Sequence, residues 1–149
     1  MGVAPVAAIA PALTEQAGTS VQTQPRVVAL QGDHDWLVAA ISAILDVALP
    51  SGRVSIDLAD VRALFSGRGT ASGVVCTGAN LTEATDTALA AASSRRPARR
   101  GLLHVTGSLG MPLCEVHAAA DRLQSSEDEL VCCFYPARSD TFRVTLIPL

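Results

Sequence analysis

The spacing of apolar residues predicts a helix in the first third of the chain. Trp36, Ala40 and Ile44 belong to a series of apolar residues that recur at steps of three and four up to residue 48. This spacing puts one apolar stripe along an α-helix. Asp33 stands directly before the stripe, where an N-cap residue is expected. We therefore predict an amphipathic helix that begins after Asp33.

A second, shorter helix is predicted to follow. Leu58, Val61 and Leu64 again lie three residues apart, and Asp57 precedes them as the natural N-cap. The eight residues between residue 48 and Asp57 include Pro50 and Gly52, which are typical of a turn.

Downstream segments alternate between strand and helix patterns. Asn80 and Glu83 have the spacing of a capping box, which predicts the start of a further helix. Apolar runs and alternating apolar residues predict the strands. The predicted order is strand, helix, strand, helix, strand, strand, at residues 70–77, 80–92, 102–106, 112–123, 130–135 and 142–146. This order predicts an α+β (two-layer α/β) fold with a mixed sheet covered by helices.

The beginning of the chain has a different composition. Residues 1 to about 26 are rich in Ala, Pro, Gly, Thr and Gln and have no periodic apolar face. We predict a flexible leader over residues 1–30 and one domain over residues 31–149. The start of the leader, 1–13, has no basic segment and is interrupted by Pro5 and Pro11, so neither a signal peptide nor membrane insertion is expected.

Composition and charge exclude several classes of function. The 11 basic residues are outnumbered by 14 acidic ones, for a net charge of -3, so nucleic-acid binding is not expected. The four cysteines have no C-x-x-C spacing, so we expect no metal, and they fit a reducing, cytoplasmic location. His34, His104 and His117 show no spacing typical of a triad or a metal site, and packing roles are expected for each.

Four segments, taken in order, resemble the FtsZ family of the FtsZ/tubulin superfamily. Residues 54–62, V-S-I-D-L-A-D-V-R, resemble the N-x-D-F-A-D-V-[KR] synergy loop, with Ser55 and Leu58 replacing Asn and Phe. Residues 69–74 are similar to the glycine-rich strand entry, residues 100–107 to the RG-hydrophobic-V-x-I-T-x-G strand, and residues 142–147 to the closing L-R-V-T-V strand. The resemblance covers about residues 34–147. It implies the FtsZ C-terminal domain with its four-stranded mixed sheet, preceded by part of the long helix that connects the family's two domains.

The resemblance also implies a site. In FtsZ the acidic residues of the synergy loop act on the nucleotide of the next subunit, so Asp57 and Asp60 would be catalytic in trans only. Ser55, Ile56, Leu58 and Arg62 would belong to the same interaction loop. Spacing alone favours the interpretation of Asp57 and Asp60 as helix-capping and dipole-stabilised carboxylates. The wider resemblance makes this interpretation and the catalytic one about even, and both can hold at once. Since the helix resembling the connecting helix would lack its second domain, we expect an exposed face at Trp36, Ala40 and Ile44.

Three functions follow as hypotheses. The sequence contains nothing similar to the G-G-G-T-G-[ST]-G loop that holds phosphates in FtsZ, so neither a nucleotide cofactor nor independent GTP hydrolysis is expected. The leading hypothesis is a non-catalytic module that binds FtsZ, a related GTP-binding filament subunit or itself, and modulates or caps assembly in cell division. The first alternative is a half-site subunit that completes GTP hydrolysis in trans. The second is a small-molecule-binding domain of unrelated function.

Overall fold

The computed structural model describes residues 28–48, 56–66, 69–93, 100–124 and 129–149. The elements in chain order are β1 (Val28–Leu30), α1 (His34–Ala48), α2 (Leu58–Leu64), β2 (Gly69–Ala71), β3 (Val74–Gly78), α3 (Leu81–Ser93), β4 (Arg100–Ser108), α4 (Leu113–Leu123), β5 (Glu129–Ala137) and β6 (Phe142–Pro148). The predicted α+β fold is confirmed.

The main sheet has four strands in the order β3-β6-β4-β5. β4 and β5 run parallel and are joined through α4, whereas β6 runs antiparallel to both β3 and β4. A parallel pair needs such a crossover connection, which here is the helix α4. The predicted mixed four-stranded sheet is therefore confirmed.

Helices cover both faces of the sheet. Successive side chains of a strand point to opposite faces, so each strand contributes to two cores. In β5, Cys133 belongs to the core under α1, while the neighbouring Cys132 packs against the core under α3 and α4. Phe134 is fully buried in the second core. Burial between two layers of helices explains why the strands read as nearly continuous apolar runs.

The predicted strand at residues 70–77 is two strands in two sheets. β2 pairs in parallel with β1 in a separate two-stranded sheet, and β3 forms one edge of the main sheet. The chain changes direction between them at Gly73. A Cβ atom there would lie 1.8 Å from the carbonyl oxygen of Leu146 and 2.8 Å from the Trp36 indole nitrogen. Only glycine permits this approach.

β1 also changes the predicted boundary of the leader. Val28, Ala29 and Leu30 pair with Gly69, Thr70 and Ala71, and Leu30 belongs to the core under α1. The ordered part therefore begins at least three residues before the predicted domain start at residue 31.

The expected exposed face of α1 is wrong. Trp36 is 2% exposed and Ala40 is fully buried, and Ile44 packs partly buried against the same core. This stripe packs on the sheet, which buries the apolar side of the helix. The large apolar side chains of α1 that are exposed are instead Val38 and Leu45, at 49% and 58% exposure.

The helix starts follow the sequence predictions closely. The Trp36 amide donates to Asp33 Oδ1 at 2.8 Å, which caps α1. At α3, the Glu83 amide donates to Asn80 Oδ1 at 2.8 Å, and Glu83 Oε2 accepts from the Ala79 amide at 2.9 Å. This is a capping box in which the carboxylate reaches one residue further back than usual.

Candidate interaction site at the start of α2

Asp57 holds the start of α2 through its side chain. Its backbone is extended, with φ -75° and ψ 159°. Its Oδ1 atom accepts hydrogen bonds from the amides of Ala59 at 2.6 Å and Asp60 at 2.9 Å. These amides have no partner inside the helix, so the carboxylate satisfies groups that water would otherwise have to hydrate. Asp57 is therefore an N-cap, as the sequence predicts.

The site presents its polar side chains outward and its apolar ones inward. Asp57, Asp60 and Arg62 are exposed. Ile56 is 9% exposed and Val61 7% exposed, and both belong to the core under α1. The buried pair fixes the short helix against the rest of the fold. The two carboxylates are thus held at the surface by a backbone that Ile56 and Val61 anchor in the core.

The remaining predicted loop residues differ in how far the structure describes them and in whether they are buried. Ser55 lies outside the described residues, and only the backbone of Leu58 is described. Ile56 is a packing residue in the structure, since its side chain points into the core. The exposed carboxylates at the start of α2 are therefore Asp57 and Asp60, whereas Arg62, two residues after Asp60, is exposed on another side of the helix.

The chemistry available at the start of α2 is that of two exposed carboxylates, Asp57 and Asp60. One oxygen of Asp57 is already used by two backbone amides. Within the described segments, no three His, Cys, Asp or Glu side chains cluster as a metal site requires. Phosphoryl transfer needs charge neutralisation and a positioned nucleophile. Two surface carboxylates can orient a water molecule or bind a cationic group. They do not bind phosphate, so the groups that hold a phosphate would have to be supplied by a partner.

A second polar cluster was missed from the sequence. His104 of β4 is 3% exposed, and its Nε2 lies 3.0 Å from Oδ2 of Asp46, near the end of α1. The His104 ring stacks on Tyr135 of β5 with 5.6 Å between ring centroids. The Tyr135 hydroxyl donates a hydrogen bond to the backbone carbonyl of Asp46. Together these contacts bind the end of α1 to the sheet.

Burial lowers the pKa of His104 below its ordinary value, and the nearby Arg143 guanidinium lowers it further. The Asp46 carboxylate opposes this shift without cancelling it. No described residue is hydrogen-bonded to Nδ1 of His104, and the Nε2 approach to Asp46 is not aligned as a hydrogen bond. Burial likewise raises the pKa of the Cys132 thiol to about 11. The sequence signal for this cluster was an acidic residue, Asp46, beside the buried stripe of α1.

A groove of about 110 Å³ lies between α3 and α4, lined by residues that include Thr85, Glu115 and Arg122. Pockets for small organic ligands usually measure about 300–1,000 Å³. The groove therefore does not support the small-molecule-binding alternative. Among the described helices, none combines the length and apolar character needed to cross a membrane.

Comparison with known proteins finds similarity in structure. No protein-family model matches the chain, and no curated protein matches it. Similar solved structures include a point mutant of FtsZ and an empty FtsZ dimer, both from M. jannaschii. Both have a TM-score of 0.65 over 76% of this chain, with 21% and 20% sequence identity. The chain has the fold of an FtsZ C-terminal domain.

The chain spans 38% and 36% of the lengths of these two FtsZ chains. The shared part is the C-terminal domain, and these 149 residues do not include the full GTP-binding domain of FtsZ. At about one-fifth sequence identity, the likeness establishes the fold and leaves the function to the chemistry of the site.

Proposed function

We propose that this chain is a non-catalytic FtsZ-like interaction module. It binds FtsZ, or a related GTP-binding filament subunit, and limits filament assembly in the cytoplasm. The observation that carries the proposal is the shared C-terminal-domain fold. It is supported by the two exposed carboxylates at the start of α2, in the segment whose sequence resembles the synergy loop. One of the similar FtsZ structures is a dimer, which supports subunit contact as the mode of action.

The rigidity of the α2 start supports a role in docking. The Asp57 cap fixes the first turn, and Ile56 and Val61 anchor it in the core. A surface that is already ordered loses little conformational entropy on binding. The carboxylates of Asp57 and Asp60 are then presented in a geometry that the partner does not have to assemble.

Capping follows from the asymmetry of the contact. In FtsZ the loop end of one subunit meets the nucleotide end of the next. A chain that offers a loop end without a nucleotide end joins a filament terminus and accepts no further subunit. The module therefore lowers the amount and length of polymer at concentrations well below that of FtsZ, because each terminus needs one copy.

The test combines light scattering and sedimentation of GTP-loaded FtsZ from the same organism. We expect the wild-type chain to reduce both signals. The Asp57→Asn/Asp60→Asn variant removes both carboxylates but keeps an N-cap, since Asn caps about as well as Asp. Loss of the effect in this variant and its retention in the control variant Asp35→Asn/Asp140→Asn support docking through α2. If the wild-type chain has no effect on assembly even at equimolar concentration, the proposal is wrong.

The exposure of Asp57 and Asp60 favours one alternative, a half-site that completes GTP hydrolysis on a nucleotide-bound partner. Phosphate release distinguishes it in the same samples. The half-site predicts faster release per FtsZ subunit with the wild-type chain. It also predicts that Asp57→Asn/Asp60→Asn still suppresses polymer while the stimulated release disappears. Unchanged or lower release excludes this alternative.

A further inference from the structure

The face of α1 that points away from the sheet is apolar. Val38 and Leu45 are exposed, and the partly buried Ile41 lies between them in the sequence. Steps of three and four residues put these three side chains on one side of the helix, which we call the outward face. From residue 36 to residue 45 the helix has no charged residue. The outward face therefore lacks the charged side chains that usually cover a solvent-facing helix.

The opposite face of α1 is apolar as well. Its buried residues, which include two that pack in the core under α1, are Trp36, Ala39, Ala40, Ala43 and Val47. A helix that is apolar on all sides is normally buried on all sides. The sheet covers one side of α1, so the composition of the helix indicates a second contact, on the outward face.

The small size of the outward face selects the kind of partner. α1 has 15 residues and is about 22 Å long. A stable interface between separate chains needs roughly 800 Å² from each partner, and two exposed side chains with one partly buried one provide far less. A segment of the same chain needs less contact area, because it is already held near the helix and does not lose its translational and rotational freedom on binding. The outward face therefore suits an attached segment better than a second copy or another protein.

The start of the chain matches this face in composition. Residues 2–14 include no charged side chain, and their large apolar residues are Val3, Val6, Ile9 and Leu13. The other segments outside the described residues are at most seven residues long and each includes a charged residue: 49–55, 67–68, 94–99 and 125–128. Among these segments, 2–14 is the one uncharged stretch of its length. An uncharged stretch covers an apolar face without desolvating an unpaired charge.

The point at which the described chain begins brings this segment close to α1. Val28, the first residue of β1, packs against the core under α1, and residues 31–33 alone separate β1 from α1. Residues 14–27 join the apolar segment to β1. A connection of this length extends to about 46 Å, roughly twice the length of α1. The segment can therefore reach every position of the outward face.

We propose that residues 2–14 of this chain bind the outward face of α1 and place their apolar side chains against Val38, Ile41 and Leu45. The contact is intramolecular. It changes the prediction for this part of the leader from a free segment to a bound one, and it does not depend on FtsZ binding through α2.

Photo-crosslinking in the full chain tests which partner occupies the face. The photoreactive residue p-benzoylphenylalanine is placed at the position of Leu45, and the crosslinked peptides are identified by mass spectrometry. We expect crosslinks to residues 2–14 of the same chain. The matched control has the photoreactive residue at the position of Leu89, an exposed leucine of α3, and should give no crosslink to residues 2–14. Crosslinks between two copies overturn the proposal, as does the absence of crosslinks to residues 2–14.

A double-mutant cycle tests the same contact by thermal unfolding. Val3→Ser/Val6→Ser/Ile9→Ser/Leu13→Ser should lower the thermal midpoint by at least about 3 °C. In a Val38→Ser/Leu45→Ser background the same four changes should lower it by less than about 1 °C, because the contact is already lost. In the control background Leu89→Ser/Leu109→Ser, which changes exposed leucines elsewhere, the full shift should remain.

Equal shifts in all three backgrounds overturn the proposal, since the segment would then act elsewhere. No shift in any background overturns it as well. The crosslinking result decides the matter if the Val38→Ser/Leu45→Ser variant does not fold.

Discussion

Protonation of His104 should destabilise the fold as the pH falls below about 6.5. The side chain is 3% exposed, and burial lowers its pKa in the folded state. The unfolded chain therefore takes up the proton at a higher pH than the folded chain does. The stability contributed by neutral His104 is fully present above the unfolded pKa. It is lost progressively as the pH falls toward the folded pKa.

The groups around His104 fix the sign and the limit of the effect. Asp46 of α1 favours the charged ring, whereas burial and the exposed Arg143 of β6 disfavour it. Tyr135 of β5 stacks on the ring, and no described residue is hydrogen-bonded to Nδ1. One additional proton is bound by the unfolded chain. The free energy of unfolding therefore falls by at most about 1.4 kcal/mol per pH unit from this residue.

The slope is measured by urea unfolding, followed by circular dichroism, at several pH values between about 5 and 7.5. Histidine side chains titrate in this range. His104→Phe keeps an aromatic ring against Tyr135 and removes the titrating group, so its slope should be flatter than that of the wild-type chain. His117→Gln, at an exposed position of α4, is the control and should keep the wild-type slope. Equal slopes in His104→Phe and the wild-type chain would refute the reasoning. So would a wild-type stability that rises as the pH falls, since that would mean that the Asp46 contact outweighs burial.

Three further changes test the packing and the caps by chemical denaturation. Gly73→Ala should cost about 3 kcal/mol or more, because its Cβ would collide with the backbone of β6, whereas Gly110→Ala, with nothing within 4 Å, should stay within about 0.5 kcal/mol. Phe134→Ala removes a fully buried ring and should cost about 3–5 kcal/mol. Asp57→Ala should cost about 0.5–2 kcal/mol through the lost cap, while Asp57→Asn should cost much less.

Each of these changes has an outcome that contradicts it. A tolerated Gly73→Ala would mean that the turn between β2 and β3 is not as close to β6 as described. Equal costs for Asp57→Ala and Asp57→Asn would show that the amide contacts of the side chain do not stabilise α2. A small cost for Phe134→Ala would place that ring outside a well-packed core.

Features set by neighbouring residues could be predicted from the sequence. The caps at Asp33, Asp57 and Asn80 depend on amides only two or three residues away, so a local pattern specifies them. The helical stripes and the strands β4, β5 and β6 follow from periodicity in the same way, whereas β1 was not predicted and β2 and β3 were predicted as one strand. The start of the candidate site was predictable for this reason, since Asp57 makes its contacts within its own turn.

Features set by distant contacts could not be predicted. The strand break at Gly73 is imposed by Trp36 and by the backbone of Leu146, which no local pattern connects with it. The contact between Asp46 and His104 joins a helix to a strand far along the chain. The prediction of an exposed face on α1 was wrong for a related reason. An apolar stripe indicates that a helix face is buried, but it does not indicate which part of the fold covers that face.

The position of β6 has a consequence for synthesis. β6 is the last strand of the sheet in chain order, yet it lies between β3 and β4 and is hydrogen-bonded to both. While a ribosome makes the chain, β3 has no strand partner in the main sheet until residues 142–148 have emerged. Before that moment β4 and β5 can pair around α4, but both cores remain open beside them. The nascent domain therefore completes its sheet in one late step, in which a single strand joins two halves, and apolar surface stays accessible to chaperones until then.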